Sequence, residues 1–212
     1  MTELAFTVLD VQPQAHAAAP HMLFRLRVTE SSGARVHAMA LRCQLRIEPQ
    51  RRAYDPREQA GLEDLFGTAE RWGQTAKPFL WTHASTMVRG FEGSHEFDLP
   101  VACTYDFEVS GTKYLHALAG GEVPLVLLFS GTVFTRGATG FAVEQLSWSL
   151  EADTRMPVRV WRDLMDLYFP NSGWIRLDRD TLDALLRYKA SRALTSWEQA
   201  LDQLLPAEER VS

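Results

Sequence analysis

The chain has 212 residues, 46% hydrophobic and 23% charged, which places it among globular proteins and away from disordered or collagen-like chains. By size scaling such a chain hides roughly 70% of its unfolded surface, so its core needs neither disulfides nor a metal to hold it together. A net charge of -5 argues against nucleic acid or an anionic membrane as the main partner.

Up to about residue 150 the apolar residues recur with the period of two expected of strands that have one face on a core. Leu4, Phe6 and Val8 mark a first strand, and Met22, Phe24, Leu26 and Val28 a second. Leu41, Cys43, Leu45 and Ile47 then alternate with Arg42, Gln44, Arg46 and Glu48, so a slip of one residue would bury two arginines. A helix follows, with Asp55 as cap, Pro56 in its first turn, Glu58 reaching back to the cap, Leu62, Leu65 and Phe66 as the buried stripe, and Gly67 as the stop. The segment from there to His83 reads as a loop. From Ser94 to Val109 one parity holds His95, Phe97, Leu99, Val101, Cys103, Tyr105, Phe107 and Val109. Pro100 cannot donate to a ladder and makes this run an edge strand, or two strands meeting at a corner. A short helix around Thr112 to Ala119, closed by Gly120-Gly121, leads to Val123–Thr135, which is apolar on both parities, as a central strand should be. Phe141 and Val143 share one parity, and Leu146, Trp148 and Leu150 the other, which predicts a bulge near Gln145.

After residue 150 the period becomes that of a helix. Val158, Trp161, Leu164, Met165 and Tyr168 form one stripe; Leu182, Leu185 and Leu186 follow a cap at Asp178 or Asp180; Thr195-Ser196-Trp197-Glu198 opens a third helix carrying Leu201, Leu204 and Leu205. The expected fold is α+β, mainly β: an antiparallel β-sandwich of about seven strands over residues 1–150, with a helical and loop insertion at about 50–78. Residues 151–212 form a helical extension expected to pack on the sandwich.

The opening MTELAFTVLD lacks a basic stretch, and the most apolar run, Val123 to Phe134, is broken by Pro124, Ser130 and Gly131, so a cytoplasmic protein without membrane insertion is expected. Cys43 and Cys103 are read as core thiols. No metal-ligand spacing occurs and no cofactor is expected, although alternation leaves open whether His83 or His95 meets Cys43 or Cys103 across the sheets. Ser110-Gly111-Thr112-Lys113 matches the S-x-x-K of serine acyl enzymes, but the partner motifs are absent, and there is no phosphate-binding glycine pattern. The most suggestive residues are the arginines and aromatics of the presumed loops: Arg51, Arg52, Arg71, Trp72, Trp81, His83 and Trp174. Such side chains combine large contact area with hydrogen-bond reach and are frequent anchors of protein contacts.

Across Val36–Arg52, Arg71–Gly73, Pro78–His83, Cys103–Val109, Lys113–Leu118, Glu122–Leu125, Phe129–Phe134 and Phe169–Lys189 the sequence resembles an uncharacterised bacterial family, one of the domains of unknown function. The resemblance implies no activity. It does imply a genomic setting, since genes of that family tend to lie beside those for a nickel-iron hydrogenase and its accessory proteins. The function expected is therefore a non-enzymatic accessory or adaptor protein with a protein partner, hydrogenase components among the candidates. The alternative is a small-molecule-binding protein or enzyme with a pocket between sandwich and helices, using His83 or Lys113 as its polar group.

Overall fold

Alternating hydrophobicity becomes strand wherever one face can be buried, and the strands assemble into two layers. A computed structural model describes residues 2–106, 109–137 and 140–205. In chain order the elements are β1 (Leu4–Pro13), β2 (His21–Glu30), β3 (Val36–Ile47), α1 (Pro56–Phe66), α2 (Trp72–Thr75), β4 (Phe79–Phe91) and β5 (Ser94–Ala102). They continue with α3 (Ser110–Ala117), β6 (Glu122–Gly137), β7 (Gly140–Gln145), β8 (Glu151–Pro157), α4 (Val158–Tyr168), α5 (Arg179–Ser191) and α6 (Trp197–Leu204). The chain forms two compact units, residues 1–174 and 175–212.

The first unit is a mainly β sandwich of a three-stranded sheet, β1-β2-β5, and a five-stranded sheet, β4-β3-β6-β7, with β8 also on β6. All strand pairs are antiparallel. Met22, Phe24, Leu26, Leu99 and Val101 of one layer and Met39, Leu41, Leu45, Leu125 and Leu127 of the other are almost fully buried. Phe6 stacks on Phe129 between the layers with ring centroids 4.1 Å apart. Arg42, Gln44 and Arg46 stay off the buried parity of β3, as the hydrophobic pattern requires, whereas Glu48, just past the strand, is itself buried.

Pro100 lies on β5, an edge strand. That strand ends at Ala102, however, and the chain continues as a loop, with Asp106 making an isolated parallel bridge to Trp174. Phe107, and the side chain of Phe141, fall outside the described residues. Phe79–His83, read as loop, belong to β4. The irregularity near Gln145 is larger than a bulge. β7 and β8 run in tandem along one edge of β6, and between them Leu146–Leu150 leaves the ladder. Its two ends are pinned where Leu146 N–H donates to Gly131 O and Phe129 N–H donates to Leu150 O, both at 2.9 Å.

Helix α1 starts with a capping box: the Asp55 side chain accepts from Glu58 N–H at 2.8 Å, and the Glu58 carboxylate accepts from Asp55 N–H at 3.3 Å. Helix α4 buries Val158, Trp161, Leu164 and Met165, and the Tyr168 hydroxyl takes a hydrogen bond from Ala17 N–H at 2.9 Å. In the second unit Ser196 caps α6 by accepting from Gln199 N–H at 3.2 Å, one residue later than the Thr195 start expected. Lys189 of α5 sits 5.6 Å from the Trp197 ring centroid of α6. No helix among the described residues is long and apolar enough to cross a membrane.

Candidate functional site

The insertion after β3 holds several of the residues singled out above, and they have different surroundings. Arg52 turns inward and donates to both carboxylate oxygens of Glu58 at 2.8 and 2.9 Å, with side chains only 9% and 4% exposed. Its guanidinium also covers the Tyr54 ring at 4.8 Å. Glu58 accepts from Ala119 N–H at 2.8 Å, which ties α1 to the end of α3. The Tyr54 and Tyr114 hydroxyls share a hydrogen bond of 2.7 Å. Burial first, then Tyr114, pushes the Tyr54 hydroxyl far above the usual phenol range, and burial pushes that of Tyr114 up to about 12. Trp72 donates Nε1–H to Gly67 O at 2.7 Å and meets Tyr54 and Phe66 edge to face. Trp81 meets Phe24 edge to face and lies so close to α3 that a Cβ on Gly111 would stand 2.5 Å from its ring.

These contacts make Arg52 and Trp72 braces within the insertion, and Trp81 a brace among β4, β2 and α3. Arg51, Arg71 and His83 reach solvent instead. Arg51 pairs with Asp153 of β8, and His83 stands opposite Gln44 on the outward side of β4. Lys113, the other polar group considered, pairs through Nζ with Asp64 at 2.6 Å.

A second aromatic group surrounds Tyr105. Its ring lies 5.6 Å from Trp161, 6.1 Å from His116 and 5.8 Å, stacked, from Phe169, and Phe169 meets Trp174 edge to face at 5.1 Å. Tyr105, His116, Trp161, Arg162 and Asp166 line a recess of about 240 Å³. Burial, then the Arg162 cation, holds the His116 imidazole below its usual pKa; burial, then Asp166, raises that of Tyr105. Arg162 donates to Leu118 O, so it also braces α4 against the end of α3. Trp174 remains 55% exposed.

Cys43 faces the core opposite Ala84 and Phe129, while His83 faces out; His95 stacks on Phe91 at 5.9 Å. Burial pushes the thiols of both Cys43 and Cys103 up to about 12. Among the described residues no three His, Cys, Asp or Glu side chains converge as metal ligands. The larger recesses are surface depressions: about 530 Å³ beside Thr2, Glu144 and Leu150, and about 640 Å³ beside Ala40, Arg42, Met87 and Thr132.

Sequence reasoning passed over the side chain that most resembles a contact anchor. Trp148, at the tip of the Leu146–Leu150 excursion, is 91% exposed. Leu146, Trp148 and Leu150 alternate with Ser147 and Ser149 as a strand would, so the local pattern reads Trp148 as half-buried and carries no signal of its exposure.

A family model described as "Family of unknown function (DUF6084)" matches residues 1–212. No curated protein matches. A solved structure similar to part of the chain is a crystal structure of Se-Met labelled β-glucosidase from Kluyveromyces marxianus, with 7% identity and a TM-score of 0.26, covering 73% of this chain and 15% of that one. The chain spans only that small share of the solved chain, and a likeness this weak carries no argument about fold or activity.

Proposed function

Starting from the fact that the chain belongs to the DUF6084 family over its whole length, we propose that it is a non-enzymatic adaptor or accessory protein that docks onto another protein. The observation that carries this reading is a pair of outward tryptophans, Trp148 and Trp174, 91% and 55% exposed. Trp148 is presented by an excursion pinned at both ends, and Trp174 rests on Phe169, so each offers a large apolar surface at small entropic cost. Arg51, Arg71 and His83 are proposed as polar contacts elsewhere on the same unit. The reading includes a cytoplasmic location and a partner among nickel-iron hydrogenase components. That last part rests on the gene neighbourhood implied by the resemblance.

The test is affinity capture from a host that expresses the hydrogenase, using the wild-type chain, Trp148→Ser and Trp174→Ser. Recovery of hydrogenase or accessory subunits by wild type, and their loss with a folded tryptophan variant, supports the proposal. Capture of no partner protein overturns it. A second reading, a small-ligand site, is supported by the recess that His116, Trp161 and Asp166 line together. It predicts that Asp166→Asn alters ligand-induced thermal shifts and leaves protein capture unchanged.

A further inference from the structure

We propose that the free edge of β4 pairs with the same edge of a second copy of this chain, antiparallel about a two-fold axis, joining two five-stranded sheets into one. The argument starts from how each sheet edge is guarded. Exposed edges offer unpaired N–H and C=O groups, and proteins block them with proline, charge, bulges or brevity. β1 has a register break between Val8 and Asp10 and ends at Pro13. β5 carries Glu96, Asp98 and Pro100. β7 has only 6 residues and includes Glu144, while β8 carries Glu151, Asp153, Arg155 and a terminal Pro157.

β4 has none of this protection along most of its length. It is 13 residues long, FLWTHASTMVRGF, without proline, lysine or acidic residue, and Arg89 is its one arginine. Its irregularity falls at the Trp81 end, and its pairing with β3 runs unbroken from Thr82 to Arg89. Among the described residues no strand pairs with its other edge. The Trp81 end is occupied by the approach of Gly111 in α3, and the far end turns through Glu92-Gly93 into β5. This leaves Thr82–Met87 as the open stretch.

The chemistry of that stretch selects a second copy as occupant. Two antiparallel strands of sequence THASTM oppose threonine, histidine, alanine, serine and methionine side chains, with no carboxylate, lysine or arginine to repel its own image. Met87, 64% exposed on the outward face, would gain cover from the partner strand. An isologous contact is self-complementary and closes on itself. Once the two β4 edges pair, every remaining sheet edge is a guarded one, so assembly stops at the dimer.

The test is sedimentation velocity and light scattering on the full chain from about 1 to about 200 µM, because a dimer must form by mass action. The expected result is a mass rising from 24.0 kDa towards twice that value. Ser85→Lys should raise the dissociation constant at least about tenfold, as Ser85→Glu should, because each places like charges across the two-fold. Mixing the two variants should restore dimers, a rescue that only direct pairing of these edges provides. Circular dichroism checks that each variant is folded; if Ser85→Lys is not, Ser85→Glu and Met87→Glu carry the test. A wild-type chain that stays monomeric throughout, folded variants that dimerise as well as wild type, or capture of a foreign extended peptide by a monomeric chain would overturn the proposal.

Discussion

Glu58 receives both ends of the Arg52 guanidinium, at 2.8 and 2.9 Å, in a place where neither side chain meets much water. The same carboxylate closes the capping box of α1 and accepts from Ala119 N–H, so one side chain fixes the helix start, the arginine and the end of α3. Arg52→Ala leaves that buried negative charge without its cation. The expected loss is about 3–5 kcal/mol, a fall in melting temperature on the order of 10 °C. Thermal unfolding followed by circular dichroism checks it, and a fall of a degree or two would show that water replaces the arginine.

Gly131 sits in the middle of β6 at φ +140°, and a Cβ there would stand 2.0 Å from Ala40 O. No side chain can be accommodated without separating β3 from β6. Gly131→Ala is expected to destabilise by at least about 3 kcal/mol, through backbone strain and a clash with a rigid neighbour. Urea unfolding measures this directly. Gly73→Ala, where a Cβ meets nothing within 4 Å, serves as the control.

The two thiols should be silent in the folded protein. Burial holds both near a pKa of about 12, so almost no thiolate exists at neutral or mildly alkaline pH. Dithionitrobenzoate at about pH 8 is expected to label neither cysteine on a timescale of minutes, and both after guanidinium unfolding. Rapid labelling of the native chain at Cys43 would contradict the packing of β3 against β4 and β6.

Glu30 gives the fold a pH dependence of defined sign. Burial would raise its pKa, but hydrogen bonds from Ser32, Glu3 and Ala34 outweigh it and leave the folded-state value below the usual carboxylate range. A depressed folded pKa stabilises above the unfolded value and loses that contribution as pH falls through the folded one. The melting-temperature gap between wild type and Glu30→Gln should therefore be widest near neutral pH and shrink below about pH 4. A gap that is constant from neutral to acid pH would exclude the carboxylate as its source.

Much of the architecture could be read from residues because alternation on β2 and β3 leaves a single register that buries the apolar side chains, and β6, apolar on both parities, reads as a central strand. The start of α1 was equally readable, since Asp55, Pro56 and Glu58 each do a local job that depends on no distant partner. Legibility failed where local pattern and tertiary context separate. Phe79-Leu80-Trp81 is apolar without alternation because a register shift falls there, and a strand looks like a loop. The run to Val109 keeps its parity beyond Ala102, but α3 and the Asp106–Trp174 bridge take over the backbone. The surface candidates divided for a related reason: Arg52, Trp72 and Trp81 share residue type with Arg51, Arg71 and Trp174, and only the folded positions of neighbours such as Glu58, Gly67 and Gly111 distinguish an inward brace from an outward side chain.

The detour at Leu146–Leu150 begins and ends against Gly131 and Phe129, two near neighbours on one strand. Extra peptide spliced in beside Trp148 would leave and rejoin the scaffold at the same two anchors, so ring closure adds little strain and the ladders on either side keep their register. That makes the detour a natural socket for an epitope or fluorophore, one that reports on the fold while physically capping the tryptophan on which docking is proposed to depend.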